Sequence, residues 1–442
     1  MIKRLLINVL LVLCLLPAAA QTINKPKLDS LMDAIAAHQQ AMGSLAIAQN
    51  GTLIYQKAIG QAALQNGQPI PANTGTKYRI GSVTKMFTAA MIFQLIGENK
   101  LSLATRLSAY FPQVPNASKI TIGMMLAHRS GIHNFTSDPL YQTYWTKPQT
   151  QAGMLAIIQA QKSDFEPDAK AEYSNTNFVL LGYIIEKLWG MTYADALKRY
   201  VTSKAGLTDT YYGGKINPAN NEAESFSYKG GWTLKSETDM SIPGGAGAIV
   251  STPADLVKFL DALFGGKLIS AQSLGLMKTI RDGYGMAMFP MPFYERTAYG
   301  HTGGIDGFTS VVSYFPDEKL AVAWCSNGSV YSTNNILIGV LSIYFNKPYV
   351  IPTFQTIKLS PAELDGYTGT YSSTQLALKI TFTRQDTTLV AQATSQPAFA
   401  LTATAPYTFE FSPAGIVIAF DPANQSFVLR QGGQSFKFTR DK

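Results

Sequence analysis

The chain has little with which to cross-link itself or hold a metal. Its 442 residues include only Cys14 and Cys325, and its four histidines stand far apart at positions 38, 128, 133 and 301. Loss of Cys14 with an N-terminal leader would leave Cys325 alone, which excludes an intramolecular disulfide. Cys325, in Leu-Ala-Val-Ala-Trp-Cys-Ser-Asn, reads as a buried strand residue. No His-Glu-x-x-His, Cys-x-x-Cys or Walker loop occurs, so neither a metal nor a cofactor is expected. A Gly-x-Ser-x-Gly elbow is also missing, which removes the α/β-hydrolase route to a serine esterase. Charge is sparse: 14% of residues are charged, the net charge is +8, and the basic residues are scattered. Nucleic-acid binding therefore has no footprint.

Long apolar runs are absent too, apart from the start of the chain. Lys3-Arg4, a hydrophobic run from Leu5 to Leu16 and Pro17-Ala-Ala-Ala20 before Gln21 read as a secretory signal peptide cut after Ala20. Lipid attachment at Cys14 is disfavoured by bulky Leu13 before it. No later stretch reaches the roughly 20 residues that a membrane helix needs. The mature chain, with a charge of +6 once Lys3 and Arg4 are gone, is expected to be exported to the periplasm or the medium, with no integral membrane segment.

What the sequence does have is a compact nucleophile. Ser82-Val-Thr-Lys85 lies in Tyr78-Arg-Ile-Gly-Ser-Val-Thr-Lys-Met-Phe-Thr-Ala89. Met86 to Ile96, apolar and free of Pro and Gly, predicts a buried helix opening near Ser82. Ser82 and Lys85 then share a face. The lysine amine can take or polarise the hydroxyl proton, and unpaired first-turn amides point at a developing oxyanion. Alone, such spacing is equally an ordinary helix start. Two further elements change its weight. Tyr173-Ser174-Asn175 sits where a polar turn enters an apolar helix, and His301-Thr302-Gly303-Gly304 precedes Phe308–Phe315, which alternates like an inner strand.

In this order the three elements resemble the signatures of the serine β-lactamase and penicillin-binding protein family: S-x-x-K, then Y-x-N, then K-T-G or H-T-G. The tyrosine form points to its class C and D-alanyl-D-alanine carboxypeptidase branch. Leu126-Ala-His-Arg-Ser-Gly-Ile132, Gly244-Gly-Ala-Gly-Ala-Ile-Val-Ser-Thr-Pro-Ala-Asp255 and Gly300–Phe308 look like that family as well, so the likeness spans roughly residues 30 to 350.

The resemblance implies that Ser82 is the nucleophile and Lys85 its base partner. Tyr173 would share proton transfer, ionising below its reference pKa of about 10 if an electropositive site holds it beside Lys85. Asn175 would donate to the acyl side chain of a substrate, and the backbone N–H groups of Ser82 and Gly304 would form the oxyanion hole. Thr302 and Gly303 would line the strand edge along which substrate lies. His301 departs from the lysine usual in drug-hydrolysing members. An imidazole with a reference pKa of about 6.5 cannot replace a permanent cation, and activity is expected to vary with pH through it. Glu166 is read as a surface residue, and His128 and Ser130 as part of a structural helix end.

The implied fold class is α/β (α+β): a β-lactamase/transpeptidase-like antiparallel sheet flanked by helices, with a helical lobe. Ser44–Gln49, an Asn50-Gly51 turn and Thr52–Tyr55 form an opening hairpin that should join strands at 308–315 and 320–326. About 420 mature residues exceed one core. The expected division is 1–20 leader, 21–351 hydrolase domain and 352–442 a C-terminal all-β domain, lipocalin-like in outline, which either packs beside the cleft and limits substrate size or simply stabilises the enzyme. Three functions fit: a serine hydrolase acting through an acyl-enzyme on ester, D-amino-acid peptide or β-lactam; a penicillin-binding sensor with little turnover; or a non-catalytic cell-envelope binding protein. The partner expected is a small molecule or cell-wall peptide.

Overall fold

The computed structural model describes residues 23–411, 414–431 and 434–441. The expected leader, with Cys14, lies outside these residues. The opening hairpin forms as the sequence predicts. Strands Ala41–Gln49 and Thr52–Ile59 are joined at Asn50 (φ 51°) and Gly51 (φ 74°), a left-handed pair that suits a tight hairpin turn. In space the sheet runs Phe289–Phe293, Arg296–Ile305, Phe308–Phe315, Leu320–Ser329, Ala41–Gln49 and Thr52–Ile59, all antiparallel. Buried residues cover both of its faces. One core packs it against helix Lys25–Ala37 and helix Thr333–Tyr344, the other against the helical lobe. Cys325 is fully buried in the strand Leu320–Ser329.

The helix Thr84–Gly97 runs through the lobe. Eleven of its fourteen residues are buried, so it is an interior helix rather than an amphipathic cover. Phe87 stacks on Phe259 at 3.7 Å between ring centroids, which ties it to helix Pro253–Phe264. The helix Asn175–Trp189 packs beside it and ends at Gly190 in the left-handed conformation.

Residues 369–440 form a separate nine-stranded sheet whose core members all lie between 364 and 438. Its two edge strands, Phe399–Ala400 and Thr402–Ala405, are joined through Leu401 alone, which brings the sheet close to a closed barrel. Among the described residues, no helix is long and apolar enough to cross a membrane.

Candidate active site

The chain turns sharply before the central helix. Gly81–Val83 makes one 3-10 turn and Thr84 begins the helix, so Ser82 stands on the turn and Lys85 on the first helical turn. Two glycines allow the strand Arg296–Ile305 to come against that turn. A Cβ on Gly303 would lie 2.1 Å from the Ile80 carbonyl oxygen, and one on Gly81, at φ 49°, would lie 2.8 Å from the Gly304 nitrogen. No larger residue fits either place without moving backbone. Pairing of this strand with Phe289–Phe293 stops at Gly300, which leaves the edge of 301–305 open beside Ser82. An open edge of this kind accepts an extended substrate backbone.

Lys85 is the hub. Its Nζ is 2.9 Å from Ser82 Oγ and donates to Asn175 Oδ1 and to the Ala246 carbonyl, both at 2.8 Å. It is completely buried. Burial, with no carboxylate to offset it, pushes the Lys85 pKa well below the ordinary lysine value. An amine whose charged form is disfavoured, 2.9 Å from a hydroxyl, is placed to act as a general base.

Tyr173 lies on the other side of this pair, with its ring centroid 4.9 Å from Lys85 Nζ. It does not reach the acidic phenol that the sequence suggested. Burial raises its pKa, and the hydrogen bond with Ser82 only partly opposes that rise. The phenol stays protonated, and Lys85 alone has the base's environment. Tyr173 is suited to donate its proton.

The structure buries His301 and turns Thr302 and Gly304 outward. The imidazole is 1% exposed, donates from Nδ1 to the Thr302 carbonyl, and packs its ring 4.7 Å from that of Phe289. Burial first, and then the nearby Lys85 charge, lower its pKa to about 3. The pH dependence expected through His301 near neutrality is therefore corrected: desolvation keeps this ring uncharged far below pH 6.5. Gly304 does lie at the cleft with Ser82, as an oxyanion hole between their amides requires.

Asn175 opens its helix with its side chain in the cleft. Nδ2 donates to Thr136 Oγ1 at 3.1 Å, and the backbone N–H donates to Asn134 Oδ1 at 3.0 Å. Glu166 is on the surface, paired with Lys119.

Two residues contribute more than the sequence indicated. His128 stacks on Tyr173 with ring centroids 4.4 Å apart, and its Nδ1 accepts from the Ser174 N–H at 3.1 Å. Burial and the Lys85 charge hold it neutral, with its pKa well below the usual value. It fixes the Tyr173–Asn175 turn from beneath. Arg79 is 3% exposed and gathers four acceptors: Thr238 O, Gly214 O, Glu237 Oε2 and Asp306 Oδ2. A charged residue in a buried strand three positions before Ser82 was the signal available for it.

The cleft measures about 400 Å³, and its lining includes Ser82, Phe135, Tyr141, Trp145, Asn175, Lys235, Ala246 and Asp306. Its lining residues fall between 81 and 306. The C-terminal sheet contributes none of these lining residues. No group of three or more His, Cys, Asp or Glu side chains among the described residues could hold a metal ion.

Comparison with known proteins gives the family and the fold. The family model for Beta-lactamase matches residues 28–337. This chain belongs to the Beta-lactamase family. A penicillin-binding protein of Bacillus subtilis (strain 168) is 24% identical, over 95% of this chain and 99% of that one. The D-amino acid amidase of Ochrobactrum anthropi SV3, solved with L-phenylalanine amide, is 27% identical with a TM-score of 0.63, covering 73% of this chain and 98% of its own. The octameric penicillin-binding protein homologue from Pyrococcus abyssi shares the fold, with a TM-score of 0.66 at 20% identity over 94% of this chain and 100% of its own. That alignment takes in the C-terminal sheet.

Proposed function

We propose that this member of a family of hydrolases is an exported serine hydrolase that forms an acyl-enzyme on Ser82. The observation that carries the reading is the 2.9 Å contact between Ser82 Oγ and a buried Lys85 amine whose charged form is disfavoured. In the first half-reaction Lys85 takes the Ser82 proton as Oγ bonds to the substrate carbonyl carbon. The amides of Ser82 and Gly304 stabilise the oxyanion. The bond to the leaving group then breaks, and the leaving group gains a proton through Tyr173. In the second, water adds its oxygen to the acyl carbon, the bond from that carbon to Ser82 Oγ breaks, and a water proton passes to Oγ and restores Ser82.

Among the substrate classes, esters and D-amino-acid amides or peptides are favoured over β-lactams. A neutral, buried His301 supplies no cation for the carboxylate on the leaving side of a penicillin. Likeness to a D-amino acid amidase supports the D configuration. Cleavage after Ala20, export, and division of the chain near residue 352 into catalytic and all-β units belong to the same proposal; the last is supported by the independent core at 364–438.

The test is the intact mass of the mature protein after treatment with a fluorophosphonate serine probe, beside Ser82→Ala. A single adduct in the parent, lost in the variant, is expected. Absence of labelling in both would leave a binding protein as the better description.

A further inference from the structure

The electrostatics of the cleft are lopsided. Leaving aside Tyr141, the residues that line it include two with ionisable side chains, Lys235 and Asp306. The Asp306 carboxylate is turned away and fully used. Its side chain is 1% exposed, Oδ1 accepts from the Thr238 N–H at 3.0 Å and its Oγ1 at 2.6 Å, and Oδ2 accepts from Arg79 at 3.1 Å. Lys235 is the reverse. It is exposed, its Nζ donates to the Asp306 backbone carbonyl at 2.9 Å, and among the described residues it makes no ion pair. An ammonium held by one carbonyl keeps donors and its full charge for a ligand.

The side of the nucleophile on which Lys235 stands follows from the proton path. Tyr173 and His301, whose rings are 6.3 Å apart, are not in the cleft lining, whereas Asn175, Ile305 and Asp306 are. The leaving group is protonated on the Tyr173 side, so the acyl portion extends into the cleft. There it meets Phe135, Tyr141, Trp145 and Lys235. Aromatic walls suit an apolar or ring-bearing body, and the lysine suits an anionic end.

We propose that Lys235 is a specificity-determining residue for the acyl side, and that the preferred acyl donors carry a carboxylate on an apolar or aromatic body. This rests on the acyl-enzyme reading above.

The test compares 4-nitrophenyl esters of phenylacetic acid and of 4-carboxyphenylacetic acid, with kcat/KM measured for the parent, Lys235→Ala, Lys235→Glu, Lys235→Arg and Ser82→Ala. The parent should prefer the carboxylated ester by about fivefold, the size of one partly exposed charge pair. That ratio should fall to about one in Lys235→Ala, drop below one in Lys235→Glu, survive in Lys235→Arg and shrink at high salt. Equal ratios in the parent, Lys235→Ala and Lys235→Glu would overturn the assignment, as would a parent that prefers the uncharged ester. Turnover persisting in Ser82→Ala would instead overturn the acyl-enzyme reading. A parent that turns over neither ester and gains no acyl mass would overturn both.

Discussion

Lowering the pH from 7 to 5 should destabilise the native protein through His301, and the size of the effect can be worked out. The unfolded imidazole has a pKa near 6.5, while burial and Lys85 hold the folded one at about 3. Between those values the unfolded state binds a proton that the native state refuses. Stability is therefore fully present above pH 6.5 and falls as the pH drops towards 3. At pH 5 the difference amounts to about 2 kcal/mol. His128, also buried and held neutral, acts in the same direction. The assay is urea unfolding followed by tryptophan fluorescence at pH 7 and pH 5, in the parent and in His301→Gln, which keeps a polar group but cannot titrate. Any fixed effect of the substitution cancels in the double difference. The variant should lose about 2 kcal/mol less than the parent across the interval. Equal losses to within about 0.5 kcal/mol would refute the argument, because they would require His301 to titrate alike in both states.

Replacing Lys85 by Met should lower the rate of Ser82 acylation by about 10²–10⁴-fold, measured with the fluorophosphonate probe. In the parent, kcat/KM should rise with pH along a limb that lies well below the ordinary lysine value, set by loss of the Lys85 proton. A limb near pH 10.5 would show that the amine is not depressed. Tyr173→Phe should slow substrates with poor leaving groups, such as amides, more than 4-nitrophenyl esters, whose leaving group needs no proton; equal slowing would remove the proton-donor role. Gly303→Ala must push the Ile80 carbonyl and Ser310 Oγ aside, from 2.1 and 2.3 Å, and should cost both stability and acylation rate. Thermal melting and probe labelling would show it.

What was legible in the sequence was whatever is local. Ser82 and Lys85 meet because they are three residues apart at a helix start, and the hairpin at Asn50-Gly51 needs only its own turn residues. The motifs also placed Asn175 and Gly304 at one cleft. Environments were not legible. Whether a phenol ionises or an imidazole charges depends on burial by segments far away in sequence: Phe289 lies over His301, and His128 lies under Tyr173. Spacing carries no information about dielectric, so both pKa expectations went the wrong way or mattered less than supposed. Lys235 was invisible for a related reason. It belongs to no motif, and only the fold sets it across the cleft from a nucleophile 153 positions earlier.

Arg79 connects the two halves of the site, and its replacement separates them. The proposed proton chemistry sits in the buried part around Lys85, while the proposed acyl wall is built from loop residues 237–238 and the turn at Asp306, which meet on one guanidinium. The planar fork reaches two carboxylates and two carbonyls at once, which a lysine ammonium cannot copy. Arg79→Ala would leave the buried Asp306 carboxylate without its cation and should cost about 3–5 kcal/mol of stability. Arg79→Lys keeps a charge for Asp306 and should fold, but it frees part of the 237–238 loop on which Lys235 depends. Its labelling by a small fluorophosphonate should then stay close to that of the parent, while the preference for the carboxylated ester declines. If labelling fell as far as ester discrimination, Arg79 would be holding the nucleophile turn itself, and the division between a buried proton machine and a loop-built acyl wall would be wrong.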